Sequence, residues 1–134
     1  MKKTSKITIT QVQKDFNRAI VRRDNMCLVR DYRTNCSGVL NCSHYFPVGG
    51  NGALRFYPYK AFAQCAGHHF THHNRDPQFY TLFMLENYRH ELEWMNSVRG
   101  KTIRYTQPML KEISKLCKEG KLKELAKMIR EVLA

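Results

Sequence analysis

The chain has no Cys-x-x-Cys pair, few acidic residues and no apolar run approaching membrane-spanning length. Each absence narrows the reading. Five cysteines is an odd number, which fits a disulfide framework poorly. The Met1-Lys2-Lys3 opening lacks the apolar stretch of a secretory signal. The expected compartment is therefore the cytoplasm, where cysteines bind metal or stay reduced, and no membrane partner is expected. There is no internal repeat and no low-complexity tract, and 134 residues suit one domain with a helical appendage. Acidic residues number 11 against 23 Lys and Arg, a formal charge of +12. That balance points to a polyanionic partner, of which nucleic acid is the commonest. The other use of such charge is a solvated surface without a specific partner.

Two segments follow from periodicity. Residues 1–76 hold a basic tail (1–6), a first helix at about 11–23 and short extended pieces joined by turns. Thr10 and Gln13 fit a capping box, and Val12, Phe16, Ala19 and Ile20 recur at helical spacing. Val39 and Leu40 enter a strand that delivers His44. The turn-rich loop 47–52 separates it from a second, aromatic strand at 54–57. A short helix should start near Gln64 or Cys65. Residues 77–134 read as a helical extension. Asp76-Pro77 is a start signal, Phe79 to Met95 give a dense apolar face ending near Gly100, and a last segment from Pro108 is one helix broken at Gly120, or two.

The chemistry concentrates at residues 65–73, which hold Cys65, His68, His69, His72 and His73. A structural zinc wants four Cys or His ligands in tetrahedral geometry. Cys65-x-x-His68 is a well-spaced half-site, and Cys27 and Cys36 are preferred as the other half. Cys42 lies two residues before His44 on the same strand and suits buried packing. Cys117, on an apolar helix face, reads as core, and the isolated His90 as an ordinary polar residue. Ordinary buried thiols are the alternative for the whole set. His69 and His73 share a helix face and could hold a catalytic divalent cation, with His72 the alternative second ligand. His44, across from that helix, would act as general base, since a neutral imidazole can take a proton from water. Arg55, Lys60 and the first-helix arginines, Arg22 and Arg23 among them, are candidate phosphate contacts, or else solubilising charge. Phe56, Tyr57, Tyr59 and Phe62 could stack on unpaired bases, although core packing suits at least half of them.

The order Cys27…Cys36, Ser43-His44-Tyr45, a Gly-Gly loop and Cys65-x-x-His68-His69 resembles the His-Me finger (ββα-metal, HNH-type) nucleases. More narrowly it is similar to the phage lambda NinG (Rap) recombination nuclease family, through Arg30-Asp31, Ser43-His44-Tyr45, Leu54-Arg55-Phe56 and Gln64-Cys65. The likeness covers roughly residues 26–76. It implies an α+β fold: a small zinc-stabilised ββα-metal core with an N-terminal helix and C-terminal helices. It matches His44 to the general base, His69 and His73 to the catalytic metal ligands, and Cys27, Cys36, Cys65 and His68 to the structural zinc. Three positions depart from the pattern. Ser43 stands where an acidic residue commonly precedes the base. The central asparagine falls near Tyr59 or Lys60. His68 replaces the last knuckle cysteine.

Together these readings lead to a metal-dependent DNA endonuclease of phage or prophage type, working in a bacterial cytoplasm on recombination or branched DNA. Its cofactors would be Zn²⁺ for structure and Mg²⁺ or another divalent cation for catalysis. The alternatives are a non-catalytic zinc-stabilised nucleic-acid-binding module, and a helical interaction protein that forms a homodimer through its C-terminal helices.

Overall fold

The computed structural model describes residues 5–134, so most of the expected tail lies outside the described residues. Helix α1 (Ile9–Asp24) begins with Thr8, whose hydroxyl accepts from the Gln11 N–H while Gln11 Oε1 accepts from the Thr8 N–H. The capping box is thus Thr8/Gln11 and not Thr10/Gln13. Both fit the Thr-x-x-Gln pattern, but the earlier one lengthens the helix and leaves Gln13 free for tertiary contacts. The expected apolar stripe of Val12, Phe16, Ala19 and Ile20 is buried. Asn25 ends the helix in the left-handed region (φ 52°), its N–H bonded to the Val21 carbonyl.

Strands β1 (Leu40–His44) and β2 (Ala61–Cys65) pair antiparallel, with His44 opposite Ala61 and Leu40 opposite Cys65. The second strand therefore lies at 61–65 and not at 54–57. Residues 52–60 form two 3-10 turns, at Gly52–Leu54 and Pro58–Lys60. Leu54, Phe56 and Tyr57 are all buried, without the alternation a half-exposed strand shows. This also corrects their use as a stacking platform: Phe56, Tyr57 and Phe62 have no exposure to offer a base.

Helix α2 (Ala66–Asn74) follows β2 without a linker. The expected long helix after Pro77 is two, α3 (Gln78–Asn87) and α4 (Arg89–Val98), broken at Tyr88. There the backbone leaves the helical region (φ −138°, ψ 39°) and the Tyr88 ring lies 4.6 Å from Phe62. Asp76 Oδ1 accepts from the Gln78 N–H, the cap expected of the Asp76-Pro77 start signal, and the helix proper runs from Gln78. The last segment is also two helices, α5 (Gln107–Lys118) and α6 (Leu122–Leu133), turned by Gly120 at φ 70°.

Among the described residues the result is α+β, with six helices about a two-stranded sheet. Strand alternation gives the sheet two working faces. Cys42 and His44 face α1, where Phe16 stacks on His44 at 6.0 Å. Ser43 and Phe62 face α2 and α3, where Ser43 meets His69 and Phe62 meets Phe83. One apolar core runs from Val12 through Phe62 to Leu133, with side chains of 77–134 packed into it. Helix α5 lies on α1, where Ser114 donates to Asp15, and Arg130 of α6 joins Glu91 and the Tyr57 hydroxyl. No helix among the described residues is long and apolar enough to cross a membrane.

Candidate functional site

Cys27, Cys36, Cys65 and His68 converge, their ligand atoms all within 4.8 Å of one another. The four could hold a metal ion such as zinc. Tetrahedral bonds of about 2.0–2.3 Å would place ligand atoms about 3.3–3.8 Å apart, so the cluster needs little contraction. His68 is prepared for it. Its Nε2–H donates to the Thr34 carbonyl at 2.9 Å, leaving the Nδ1 lone pair facing Cys27 Sγ at 3.3 Å and Cys36 Sγ at 3.8 Å. Cys65 Sγ accepts the backbone N–H groups of Ser37 (3.4 Å) and His68 (3.5 Å). Burial opposes ionisation of Cys65, but these two N–H groups and the neighbouring thiols bring it below its ordinary value. Cys36 goes the other way, pushed up to about 11 by desolvation and then by Cys27.

The loop that carries Cys36 fits against α2 with no room to spare. Gly38 sits at φ +80°, and a Cβ there would fall 2.7 Å from the Ala66 Cβ. A Cβ on Gly67 would collide with the Ser37 hydroxyl, and the Gly67 N–H bonds the Ser37 carbonyl at 2.9 Å. Cys65 itself ends β2 and caps α2.

One turn along α2 lies the second group. The His69 Nδ1 is hydrogen-bonded to the Ser43 hydroxyl, and the His69 and His73 rings are 4.5 Å apart. His72 turns toward Tyr80 (4.9 Å) and lines a separate aromatic cleft of about 520 Å³ with Tyr45, Phe46 and Arg99. Among the described residues the Cys3His cluster is the one set of three or more ligand atoms drawn together. His69, His72 and His73 do not form another. The structure pairs His69 with His73, while the His72 ring lies 5.0 Å from His73 and also packs against Tyr80.

His44 projects from the opposite face of β1. Its Nε2 lies 3.1 Å from Asn17 Oδ1 and 3.7 Å from Cys42 Sγ, and its Nδ1 is buried without a protein partner. Burial, then the nearby Lys60 ammonium, then His69, hold its pKa down to about 3, so the ring is neutral at physiological pH. Burial and then His73 lower His72 to about 4, and burial and His73 also lower His69. Between α1 and β1 runs a groove of about 560 Å³ lined by Asn17, Arg18, Arg22, Asn41, Cys42 and His69.

The phosphate-contact candidates separate sharply. Arg22 is exposed at that groove, with Arg18 one turn before it. Arg23 is committed elsewhere: its guanidinium donates to Asp24 and to the carbonyls of Pro58 and Ala61, and lies over Phe62 at 4.9 Å. Arg55 is half-buried and donates to Gln13. Lys60 corrects its expectation outright, because it is fully buried and can reach no backbone on the surface. Its Nζ has no hydrogen-bond partner, and burial brings its pKa down to about 7. Asn17, absent from the sequence reading, and Gln13, which entered it only as a helix cap, are the additions. The only sequence signal was two amides one turn apart on the polar side of α1.

Comparison with protein-family models, with curated proteins and with solved structures finds no match.

Proposed function

We propose that the protein is a metal-dependent endonuclease that hydrolyses DNA phosphodiesters, acting in recombination or on branched DNA of phage or prophage origin. The observation that supports this reading best is a strand–strand–helix run that sets Ser43 on β1 against the His69/His73 pair on α2, with His44 next to Ser43 on the other face of the strand. The Cys3His cluster stands at the head of that same helix. Zn²⁺ at Cys27, Cys36, Cys65 and His68 would be structural, since its four protein ligands leave no position for substrate.

His69 and His73 would hold the second cation, with the Ser43 hydroxyl fixing the His69 ring. Such an ion supplies charge stabilisation to a phosphate and its leaving oxygen. Two imidazoles suit a borderline ion such as Mn²⁺, Co²⁺ or Ni²⁺ better than Mg²⁺, which prefers oxygen. His44, held neutral, is the base that takes a proton from the attacking water. Arg18 and Arg22 position the backbone along the groove without reading its sequence.

One observation favours the second reading, a zinc-stabilised binding module without catalysis. His44 Nδ1 is buried, so water must gain access before the ring can act. The deciding experiment is cleavage of a labelled four-way junction and its matching duplex by wild type and His44→Ala, with Mg²⁺, with Mn²⁺ and with EDTA. The expected outcome is metal-dependent cutting, stronger with Mn²⁺, that His44→Ala loses while still binding DNA. Tight binding without cutting under every condition would establish the binding module instead.

A further inference from the structure

Three hydrogen bonds run from Arg55 to His44 across α1, and their direction is set at one end. Arg55 Nε lies 2.9 Å from Gln13 Oε1. A guanidinium only donates, so the Gln13 side chain must turn its oxygen to Arg55 and its NH₂ the other way. That NH₂ donates to Asn17 Oδ1 at 3.0 Å. The same oxygen is the atom that faces His44 Nε2, at 3.1 Å. An amide oxygen only accepts. Were Nε2 unprotonated, two lone pairs would oppose each other at hydrogen-bond distance in a half-buried site.

We infer that Arg55, Gln13 and Asn17 form a directional relay that fixes His44 as its Nε2–H tautomer and leaves Nδ1 as the nitrogen that takes the proton. The inference rests on His44 being the general base for its functional meaning, but the tautomer stands by itself. Cys42 Sγ, at 3.7 Å from Nε2, is a weak acceptor compatible with this assignment. Phe16, stacked on the ring at 24° between planes, restrains the ring's tilt, so the relay and the stack together define its pose. Asn17 and Gln13 are therefore positioning residues, and α1 belongs to the site. It also gives Arg55 a use that needs no contact with DNA.

The test is the imidazole nitrogen spectrum of the full, zinc-loaded chain labelled with ¹⁵N-histidine, in which protonated and unprotonated ring nitrogens are separately identified. Wild type should show Nε2 protonated and Nδ1 bare at His44. Gln13→Glu is the sharp variant. A carboxylate still accepts from Arg55 but cannot donate to Asn17, so the Asn17 amide turns to donate to residue 13 and presents NH₂ to His44. The His44 proton should move to Nδ1, with the backbone spectrum otherwise unchanged. Asn17→Asp, an acceptor whatever residue 13 is, should keep the wild-type pattern and covers the case in which Gln13→Glu folds poorly. A wild-type proton on Nδ1, or a folded Gln13→Glu protein with an unchanged pattern, would overturn the relay.

Cleavage provides the second readout. Gln13→Glu should lower kcat by about 10²–10⁴-fold with KM little changed, the range expected for losing a positioned base. Inverted protonation with full kcat would overturn the positioning role. Absence of cleavage in wild type would instead count against the nuclease reading, while the nitrogen spectrum still decides the relay.

Discussion

Lys60 is the residue whose surroundings conflict most with its chemistry. A fully buried ammonium without a partner costs stability, and burial holds its pKa near 7 against an ordinary 10.5. Between those values the unfolded chain binds more protons than the folded one, so stability rises with pH across that window. The burden is complete below pH 7 and gone above about 10.5. Lys60→Met should therefore stabilise the protein by about 1–4 kcal/mol near pH 7, an advantage that fades as pH approaches 10.5. Denaturant midpoints of both proteins at pH 7 and pH 10 check this, and a midpoint lowered at pH 7 would mean that the ammonium is favourably held. His44 has its pKa lowered to about 3, so its contribution is intact above about pH 6.5 and is lost as pH falls toward 3. His44→Gln should flatten that part of the acid limb in thermal melts. Cleavage in wild type should likewise show no inflection from His44 near pH 6.5, and one there would place its protonation in the ordinary range.

Among the elements, the junction from β2 into α2 concentrates the structural demands, because Cys65 ends the strand, caps the helix and offers a thiol to the metal cluster. Gly38→Ala would force a Cβ against Ala66 in a left-handed backbone conformation, at a cost of about 1–3 kcal/mol. Its expected signature is weaker zinc retention in a chelator competition with little change in α5 and α6. Stripping the metal should unfold residues 27–75 first, seen as loss of amide protection there; an apo protein with full protection would refute a structural metal.

This junction also shows how much could be read beforehand. The Cys27, Cys36, Cys65 and His68 set was legible because the short Cys65–His68 spacing makes a local half-site. Helix α1 was legible because one face is apolar at period 3.6. Strand β2 was not: Ala61–Cys65 is buried on both faces, so it has no alternation to detect. The break at Tyr88 comes from its ring packing on Phe62, and the burial of Lys60 and the Arg55–Gln13–Asn17 relay are contacts between distant segments. Local patterns carry no trace of them.

At the scale of the whole molecule, the apolar faces of α5 and α6 are turned into the common core, with Val132 the exposed large apolar residue on α6. A homodimer through these helices would have little apolar surface to use, and sedimentation is expected to show a monomer. The exposed cations remain outside, including Arg18 and Arg22 at the groove and Lys111, Lys115 and Lys118 along α5. If six or so phosphates are engaged, DNA affinity should fall about 10³-fold between 50 and 200 mM salt. A flat dependence would remove the case for an electrostatic partner.

The sheet is small, yet backbone groups on the outer side of β2 are occupied. On β2, Asp24 accepts from the Ala63 N–H, the Leu28 N–H donates to the Ala63 carbonyl, and Arg23 donates to the Ala61 carbonyl. A two-stranded sheet without such cover would invite a strand from another molecule. Arg23 and Asp24 thus act as gatekeepers against self-association, and a chain lacking the last turn of α1 should aggregate before it unfolds.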